Sequence, residues 1–390
     1  MRVISFSLLF SLSIVAAAAQ SQVPPHTPST WQMQDSGSTA SLRGIDTVDG
    51  AVAWASGTEG TVLKTTDGGA HWQKCAVPDE GNGGATVDFR GVEGFDAQTA
   101  IVMASGPGEK SRLYKTTDGC RTWKLLFKNP DAPKGFFDSF WLNDERGMLL
   151  GDPVGGKFVV FKTGNGGKSW KREPPEGLIL HGRSLAAFAA SNNSIARGNR
   201  QFAWGFVTGG KDGAVLFNRL SDPEEEGTSG IVGKMVRKRV GWKTSPIALT
   251  HGAESSGAFA IGYRYPVTIG ICQEFKFEDN SRFVVAVGDY LKPNESAGTA
   301  ASSSDGGWIW TAATKPPHGF RSSVQWSEAH KVWITVGTNG SDASRDDGKT
   351  WQPLDDGNWN ALSLPFVVGP GGRIARLNPA AMASAPGKLK

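Results

Sequence analysis

The sequence has little of several features that other classes of protein need. It contains only 3 cysteines, Cys75, Cys120 and Cys272, and their spacing matches no zinc-binding pattern. An exported protein could join two of them in a disulfide and leave one free. After the first residues there is no convincing helical periodicity, which argues against a helical fold. Basic residues exceed acidic ones by only 4, and the one dense basic run, residues 234–239, indicates a solvated loop. We therefore expect no nucleic acid, metal or cofactor.

Long apolar runs are also missing, except at the start. Residues 3–19 follow Arg2 and end in small residues, which predicts a secretory signal peptide over residues 1–19 and a linker over 20–30. A membrane anchor is the alternative, but the run is short. No other stretch approaches the ~20 apolar residues of a membrane span, so we expect no integral membrane segment after cleavage. The expected location is outside the cytoplasm, in the periplasm or secreted.

Glycine, tryptophan and phenylalanine are abundant, with 51, 14 and 20 copies, which favours a turn-rich all-β fold. One phrase, Ser/Thr-x-Asp-x-Gly-x-x-Trp, occurs five times, at residues 65–72, 116–123, 163–170, 303–310 and 344–351. Its hydroxyl and carboxylate can bond nearby backbone N–H groups, its glycine suits a positive φ, and its tryptophan anchors the next strand. Cys120 replaces the glycine of the second copy, and Asn165 replaces the aspartate of the third.

The phrase resembles the Asp-box (BNR repeat) of sialidase-type β-propellers. That resemblance implies a position at the blade periphery, between the third and fourth strands, and a structural role. The residues expected to have this role are Asp67, Trp72, Asp118, Trp123, Asn165, Trp170, Asp305, Trp310, Asp346 and Trp351.

The spacing of the anchoring tryptophans predicts the number of blades. Neighbouring anchors lie 51, 47 and 41 residues apart, which suits one four-stranded blade each. The gap of 140 residues between Trp170 and Trp310 would hold two blades enlarged by insertions at 221–233 and 265–281, with Trp242 as a degenerate anchor. An N-terminal strand at 31–34 would complete the last blade and remove a free edge. We predict one seven-bladed propeller over residues 31–380, with eight blades as the alternative and a flexible tail over 381–390.

Candidate site residues lie where propeller loops meet on one face of the ring. The predicted entrances to the innermost strands carry Arg43, Arg90, Arg183, Arg321, Asp138 and Asn360, and the predicted loops between second and third strands carry Asp152, Lys211, Asp289 and Tyr290. Converging arginines would form an anion-attracting mouth. The alternative is that each arginine pairs with a carboxylate of a neighbouring blade or with backbone carbonyls, and that most of the loop residues only form turns.

Two resemblances bear on function. Tyr263-Arg264-Tyr265-Pro266 is similar to a short sialidase motif, but it lies deep in the chain, and none of the 4 tyrosines stands in a recognisable nucleophile context. Residues 42–45, 65–72 and 369–377 resemble exported propellers of the photosystem II stability/assembly factor family. This resemblance implies a non-catalytic scaffold with an arginine-rich patch that contacts an assembling membrane protein. We therefore predict no catalytic residues, a monomer, and a protein or glycan partner, for which the arginines would suit an anionic one. An exo-glycosidase with its site in the central channel is the alternative.

Overall fold

The computed structural model describes residues 29–76, 87–143, 145–197, 202–220, 241–247, 249, 252–264 and 282–383. Within these ranges the chain forms seven four-stranded antiparallel sheets. The innermost strand of each sheet contacts the innermost strands of its two neighbours, and the series closes on itself. The protein is therefore a seven-bladed β-propeller, as predicted, and the eight-bladed alternative is wrong.

Blades 1 to 3 follow the predicted strand order, innermost strand first. Blade 1 comprises β2 (Leu42–Thr47), β3 (Ala53–Gly57), β4 (Val62–Thr65) and β5 (Gln73–Lys74). Blade 2 comprises β6 (Phe89–Gly94), β7 (Ala100–Ala104), β8 (Arg112–Thr116) and β9 (Lys124–Lys128), with a short 3-10 helix at Gly108–Lys110. Blade 3 comprises β10 (Phe137–Leu142), β11 (Gly147–Gly151), β12 (Val159–Thr163) and β13 (Lys171–Arg172).

Blades 4 to 7 complete the ring. Blade 4 comprises β14 (Ile195–Arg197), β15 (Phe202–Thr208), β16 (Ala214–Leu220) and β17 (Gly241–Ile247), and blade 5 comprises β18 (Ser256–Arg264), β19 (Arg282–Asp289), β20 (Ala300–Ser303) and β21 (Thr311–Ala312). Blade 6 comprises β22 (Ser323–Ser327), β23 (Val332–Gly337), β24 (Gly340–Ser344) and β25 (Gln352–Asp355). Blade 7 comprises β26 (Ala361–Ser363), β27 (Phe366–Val368), β28 (Ile374–Leu377) and the N-terminal strand β1 (Trp31–Gln34).

The ring closes as predicted, because β1 pairs antiparallel with β28, from Trp31 opposite Leu377 to Gln34 opposite Ile374. Trp31 is buried against Trp359, and its Nε1 donates a hydrogen bond to Ser341 Oγ at 3.0 Å. A short helix, α1 (Pro379–Ala383), follows β28. The two ends of the described chain thus meet in one blade, and β28 has no free edge.

Burial follows the position of a strand within its blade. The second strands β3, β7 and β11 are buried at every residue, because both of their faces pack against neighbouring blades. The outer strands β5 and β13 are exposed. The hydrophobic core is therefore a series of clusters between blades rather than one central mass.

All five Asp-box turns have the same hydrogen bonds. In blade 1, Thr65 Oγ1 donates to Asp67 Oδ1 at 2.8 Å and accepts from the Gly69 N–H, while Asp67 Oδ1 accepts from the His71 N–H at 3.0 Å. Bonds to the backbone and to His71 and Thr65 hold the pKa of Asp67 well below its usual range. Asn165 makes the equivalent bonds through its amide oxygen. These side chains stabilise the turn, and their oxygen atoms make their hydrogen bonds within it.

The departure at Cys120 has a structural reason. Cys120 forms a disulfide with Cys75, with their Cα atoms 5.4 Å apart, and so joins the turn of blade 2 to the outer strand of blade 1. It keeps the positive φ of the glycine it replaces, 68° against 87° at Gly69. Cys272 lies outside the described residues.

Some predicted features also fall outside the described residues. These are the signal peptide, the insertions at 221–233 and 265–281, and the basic run at 234–239. Trp242, the degenerate anchor, is described: it is buried as the second residue of the outer strand β17. The five other anchors directly precede their outer strands.

Candidate functional site

Arg43, Arg90 and Asp138 occupy equivalent positions in three consecutive blades. Each is the extra residue at a register shift between the first and second strands, between Leu42 and Gly44, Phe89 and Gly91, and Phe137 and Ser139. A β-bulge of this kind redirects a side chain at the end of a strand. The repeated bulge places all three residues at one end of the central channel, which we call the mouth.

Asp88 joins the two arginines of the mouth. Its Oδ1 lies 3.2 Å from Arg43 Nε, and its Oδ2 accepts from Arg90 Nε at 2.8 Å. The arginine side chains are 31% and 30% exposed. Burial lowers the pKa of Arg43, although Asp88 opposes that shift. The two guanidinium groups share one carboxylate, and both retain surface that a partner can reach.

Two further carboxyl groups lie beside this cluster. Asp138 is buried, and its Oδ2 has no hydrogen-bond partner among the described residues. Burial, and secondarily the nearby Asp152, raise the pKa of Asp138 well above its usual value. Burial also raises the pKa of Asp152 to about 6, although the Ala187 N–H donates to its Oδ1 at 3.2 Å. Burial therefore disfavours the charged form of Asp138 relative to an exposed carboxyl group.

The channel is crossed by the residues that precede β14, which we call the channel segment (residues 188–194). Asn192 Oδ1 accepts from the Phe140 N–H of blade 3 at 2.8 Å, and Asn193 Oδ1 accepts from the Val324 N–H of blade 6 at 3.0 Å. The Asn193 carbonyl accepts from the Ile261 N–H of blade 5. The Ala189 carbonyl accepts from Arg90 Nη1 at 3.3 Å. One segment of blade 4 thus bonds to blades 2, 3, 5 and 6, which fills the centre of the ring.

The other two predicted arginines lie away from this cluster. Arg321 is completely buried, and Asp342, Asn339 and the Phe320 carbonyl accept its hydrogen bonds at 2.5–2.7 Å. Arg183 is exposed in the segment before β14 and donates to the Asp212 carbonyl at 3.2 Å. The structure therefore brings together Arg43, Arg90, Asp138 and Asp152, but neither Arg183 nor Arg321.

The remaining loop residues make local contacts. Lys211 pairs with Glu254 at 3.3 Å, and both side chains are exposed. Asp289 is buried, and its Oδ1 accepts from the Leu291 N–H at 2.9 Å, which is a turn contact. Tyr290 is half exposed and meets Phe259 edge-on. Asn360 lies at the mouth, where its Nδ2 donates to the Leu42 carbonyl at 2.7 Å.

Arg264 of the short sialidase-like motif has a structural role. The guanidinium of Arg264 donates to both carboxylate oxygens of Asp347, at 2.8 and 2.7 Å, and stacks over the Trp326 ring. Arg264 ends the innermost strand of blade 5, at the opposite end from Ser256. It ties blade 5 to blade 6 and takes no part in the mouth.

Sequence reasoning missed Asp88 and the channel segment. Asp88 comes directly before β6 and two residues before Arg90, so its proximity to one arginine was visible in the sequence. Its ion pair with Arg43 depends on the packing of two blades. The pair Asn192-Asn193 was visible as two side chains suited to capping backbone N–H groups, but nothing local indicated that they would cross the channel.

Two absences apply to the described part of the chain. No group of three or more His, Cys, Asp or Glu residues in it could hold a metal ion. None of the described helices is both long and apolar enough to span a membrane.

Together these features define an Asp-box β-propeller with a filled channel and paired arginines at the mouth. The chain is similar to the photosystem II assembly lipoprotein Ycf48 of Synechococcus sp. (strain CC9902), with 27% identity over 160 residues. That match covers 40% of this chain and 44% of the relative, so it spans less than half of the relative's length. No protein-family model matches the chain.

Solved structures agree on the fold. A structure of YCF48 bound to D1 peptide matches with a TM-score of 0.53 and 16% identity, covering 90% of this chain and 97% of that one. YCF48 from Cyanidioschyzon merolae matches with a TM-score of 0.56 and 16% identity, covering 90% and 99%. At this identity the likeness establishes the seven-bladed propeller, which these proteins share.

Proposed function

We propose that the protein is an exported, non-catalytic scaffold that binds a segment of another protein at the mouth of its propeller. The observation that carries this proposal is the cluster of Arg43, Asp88 and Arg90. Two arginines on adjacent blades share one carboxylate, which leaves donor capacity for carboxylates of a partner. A partner with acidic residues would complete the cluster.

The comparisons support a protein partner. One relative is named as an assembly lipoprotein of photosystem II, and one matching structure contains a D1 peptide. For this chain we propose the class of partner, an acidic polypeptide segment, and an extracytoplasmic location.

One observation favours the alternative of a glycosidase: two carboxyl groups with raised pKa values lie beside arginines, a pattern common in active sites. Its geometry argues against that use. Asp138 is only 2% exposed, and the channel segment lies across the ring, bonded to blades 2, 3, 5 and 6. A glycosidase needs two carboxyl groups on either side of its substrate. The Asp-box carboxylates are bound within their own turns.

The proposal is tested by capturing partners from detergent-solubilised membranes of the source organism. We expect the double variant Arg43→Glu/Arg90→Glu to lose most of a partner that the unchanged protein retains, because each change places a carboxylate where a guanidinium stood. The matched control is Lys74→Glu/Lys171→Glu, which makes the same kind of charge change on the exposed outer strands β5 and β13. Equal capture by all three proteins would refute the mouth as the binding surface.

The glycosidase alternative has its own test. Purified protein is assayed with fluorogenic sialosides and other glycosides, together with Asp152→Asn. We expect no turnover. Turnover that Asp152→Asn abolishes would overturn the non-catalytic assignment.

A further inference from the structure

A recess lies beside blade 4, between the segment that precedes β14 and the outer strand β17. It has a volume of about 330 Å³, and its lining includes Leu180, Leu185, Phe217, Trp242, Lys243 and Trp308. Its floor is buried, because Leu185, Phe217 and Trp242 belong to the core between blades 3 and 4. We call it the wall groove.

The walls of the wall groove are fixed by backbone hydrogen bonds. On one side, the Leu180 N–H donates to the Gly156 carbonyl at 2.9 Å, and the Leu178 carbonyl accepts from the Phe158 N–H at 3.1 Å. On the other side, Lys243 and Thr244 belong to β17, which pairs along its length with β16. The recess is therefore formed before any ligand arrives, which lowers the entropic cost of binding.

The rim of the groove exposes large apolar side chains. Ile179 is 46% exposed and Trp308 is 44% exposed. Trp308 comes from the Asp-box turn of blade 5, where its backbone N–H donates to Asp305 Oδ1 at 3.1 Å. A large aromatic at this position contributes apolar surface beside a concave floor, which is the composition of an interaction site.

The charges of the groove have one sign. Among the described residues that line it, Arg183, Lys243 and His181 are basic or can become so, and none is acidic. An apolar floor with a cationic rim fits a bulky apolar side chain with carboxylates next to it. The groove is open along the blade edge and at the small end of the range for ligand sites, which favours one anchoring side chain of a polypeptide.

We propose that the wall groove is a second docking site, for an acidic peptide segment with one bulky apolar anchor. The anchor lies on Phe217 and Trp242 under Trp308, and flanking carboxylates meet Arg183 and Lys243. The scaffold would then hold two acidic segments at once, one at the mouth and one on its wall, with an avidity that neither site has alone.

The test is fluorescence anisotropy with a labelled peptide, Gly-Asp-Phe-Asp-Gly, and two analogues, Gly-Asn-Phe-Asn-Gly and Gly-Asp-Ala-Asp-Gly. We expect saturable binding of the first peptide and weaker binding of each analogue. Trp308→Ala and Lys243→Glu should each raise its Kd about fivefold or more, since anchors and their charge partners dominate small interfaces.

The chain offers matched controls. Ile309→Ala removes an apolar side chain that is more exposed than Trp308 but does not line the groove. Lys74→Glu changes the same charge on the outer strand of blade 1. Both should bind like the unchanged protein. Absence of saturable binding, or equal loss in Ile309→Ala or Lys74→Glu, would overturn the proposal.

Discussion

At the scale of the residue, burial decides which charged groups can meet a partner. Arg43 and Arg321 were both expected at the mouth, but they differ in burial and in internal partners. Arg43 is partly exposed and shares Asp88 with Arg90, whereas the guanidinium of Arg321 is enclosed and bonded to Asp342. The same residue type thus takes part in a candidate recognition site in blade 1 and stabilises the interior of blade 6.

Asp152 gives a prediction about pH. Because its pKa is raised to about 6, the folded state holds this proton more tightly than the unfolded chain does. Its contribution to stability is therefore most favourable at pH values below about 4, where the unfolded carboxyl group is protonated, and is lost as the pH rises through about 6. We expect Asp152→Asn, whose amide oxygen can still accept from Ala187, to be more stable than the unchanged protein at pH 7.5, by about 1–3 kcal/mol.

The measurement is urea unfolding followed by tryptophan fluorescence between pH 4 and 7.5. Asp49→Asn is a contrasting control, because N–H bonds from Val52 and Ala51 lower the pKa of Asp49. Its stability relative to the unchanged protein should stay nearly constant between pH 4 and 7.5, because above about pH 4 this carboxyl group is ionised in both the folded and the unfolded state. A difference between Asp152→Asn and the unchanged protein that does not vary with pH would contradict the raised pKa.

At the scale of the element, the Asp-box turn determines how blades join. Four of the five copies place glycine at the crowded positive-φ position, and one places Cys120 there because its side chain bridges to Cys75. The two bridged cysteines are 45 positions apart in the sequence. Because a disulfide over such a loop restricts the unfolded chain, it stabilises the fold by about 4 kcal/mol. The cost of a side chain at positive φ, about 1 kcal/mol, offsets part of that gain.

Two double variants separate these effects. We expect Cys75→Ala/Cys120→Ala to have the lower free energy of unfolding. Cys75→Ala/Cys120→Gly should be more stable than that variant by about 1 kcal/mol, because only glycine accepts this φ without strain. Unfolding free energies of both, measured beside the oxidised parent, check this. Equal stability of the two variants would contradict the role assigned to the backbone at Cys120.

Much of the structure at the scale of the element could be predicted from the sequence. Repeated turns and tryptophans report local geometry, so the blades and the closing strand at Trp31 followed from spacing. Arg321 could not be placed, because the position of a bulge is set by pairing: Arg321 lies next to Gly337 as Leu42 lies next to Gly57. Arg321 therefore lies one residue before the bulged, channel-facing position that Arg43 occupies in blade 1. A shift of one residue turns a side chain to the other face of a strand. The channel segment was missed because its bonds go to distant blades.

At the scale of the whole molecule, the ring depends on β1. Trp31 is 4% exposed in the core of blade 7, whereas Met33, two residues along the strand, is 55% exposed. We expect Trp31→Ala to lower the unfolding free energy by about 3–5 kcal/mol, the usual cost of removing a buried tryptophan. Met33→Ala should change it by less than about 0.5 kcal/mol. Chemical unfolding checks both, and similar losses from both variants would contradict closure by packing at Trp31.

The filled channel has a consequence for function at this scale. Because residues 188–194 bond to four other blades, we expect a partner that binds at the mouth to contact its surface rather than enter the ring. Binding at the mouth therefore predicts contact with the exposed loops of the mouth face and not with the exposed outer strands.

The most direct test of partner binding at the mouth is photo-crosslinking from two positions in blade 2. Lys110 lies in the loop between β7 and β8, on the mouth face, and Lys124 begins the outer strand β9; both are exposed. A photoreactive benzoylphenylalanine replaces each in turn, with and without Arg43→Glu/Arg90→Glu. A crosslink to a partner protein from position 110 that disappears in the arginine variant, with none from 124, is the predicted result. Crosslinks from 124 alone, or from 110 regardless of the arginines, would contradict it.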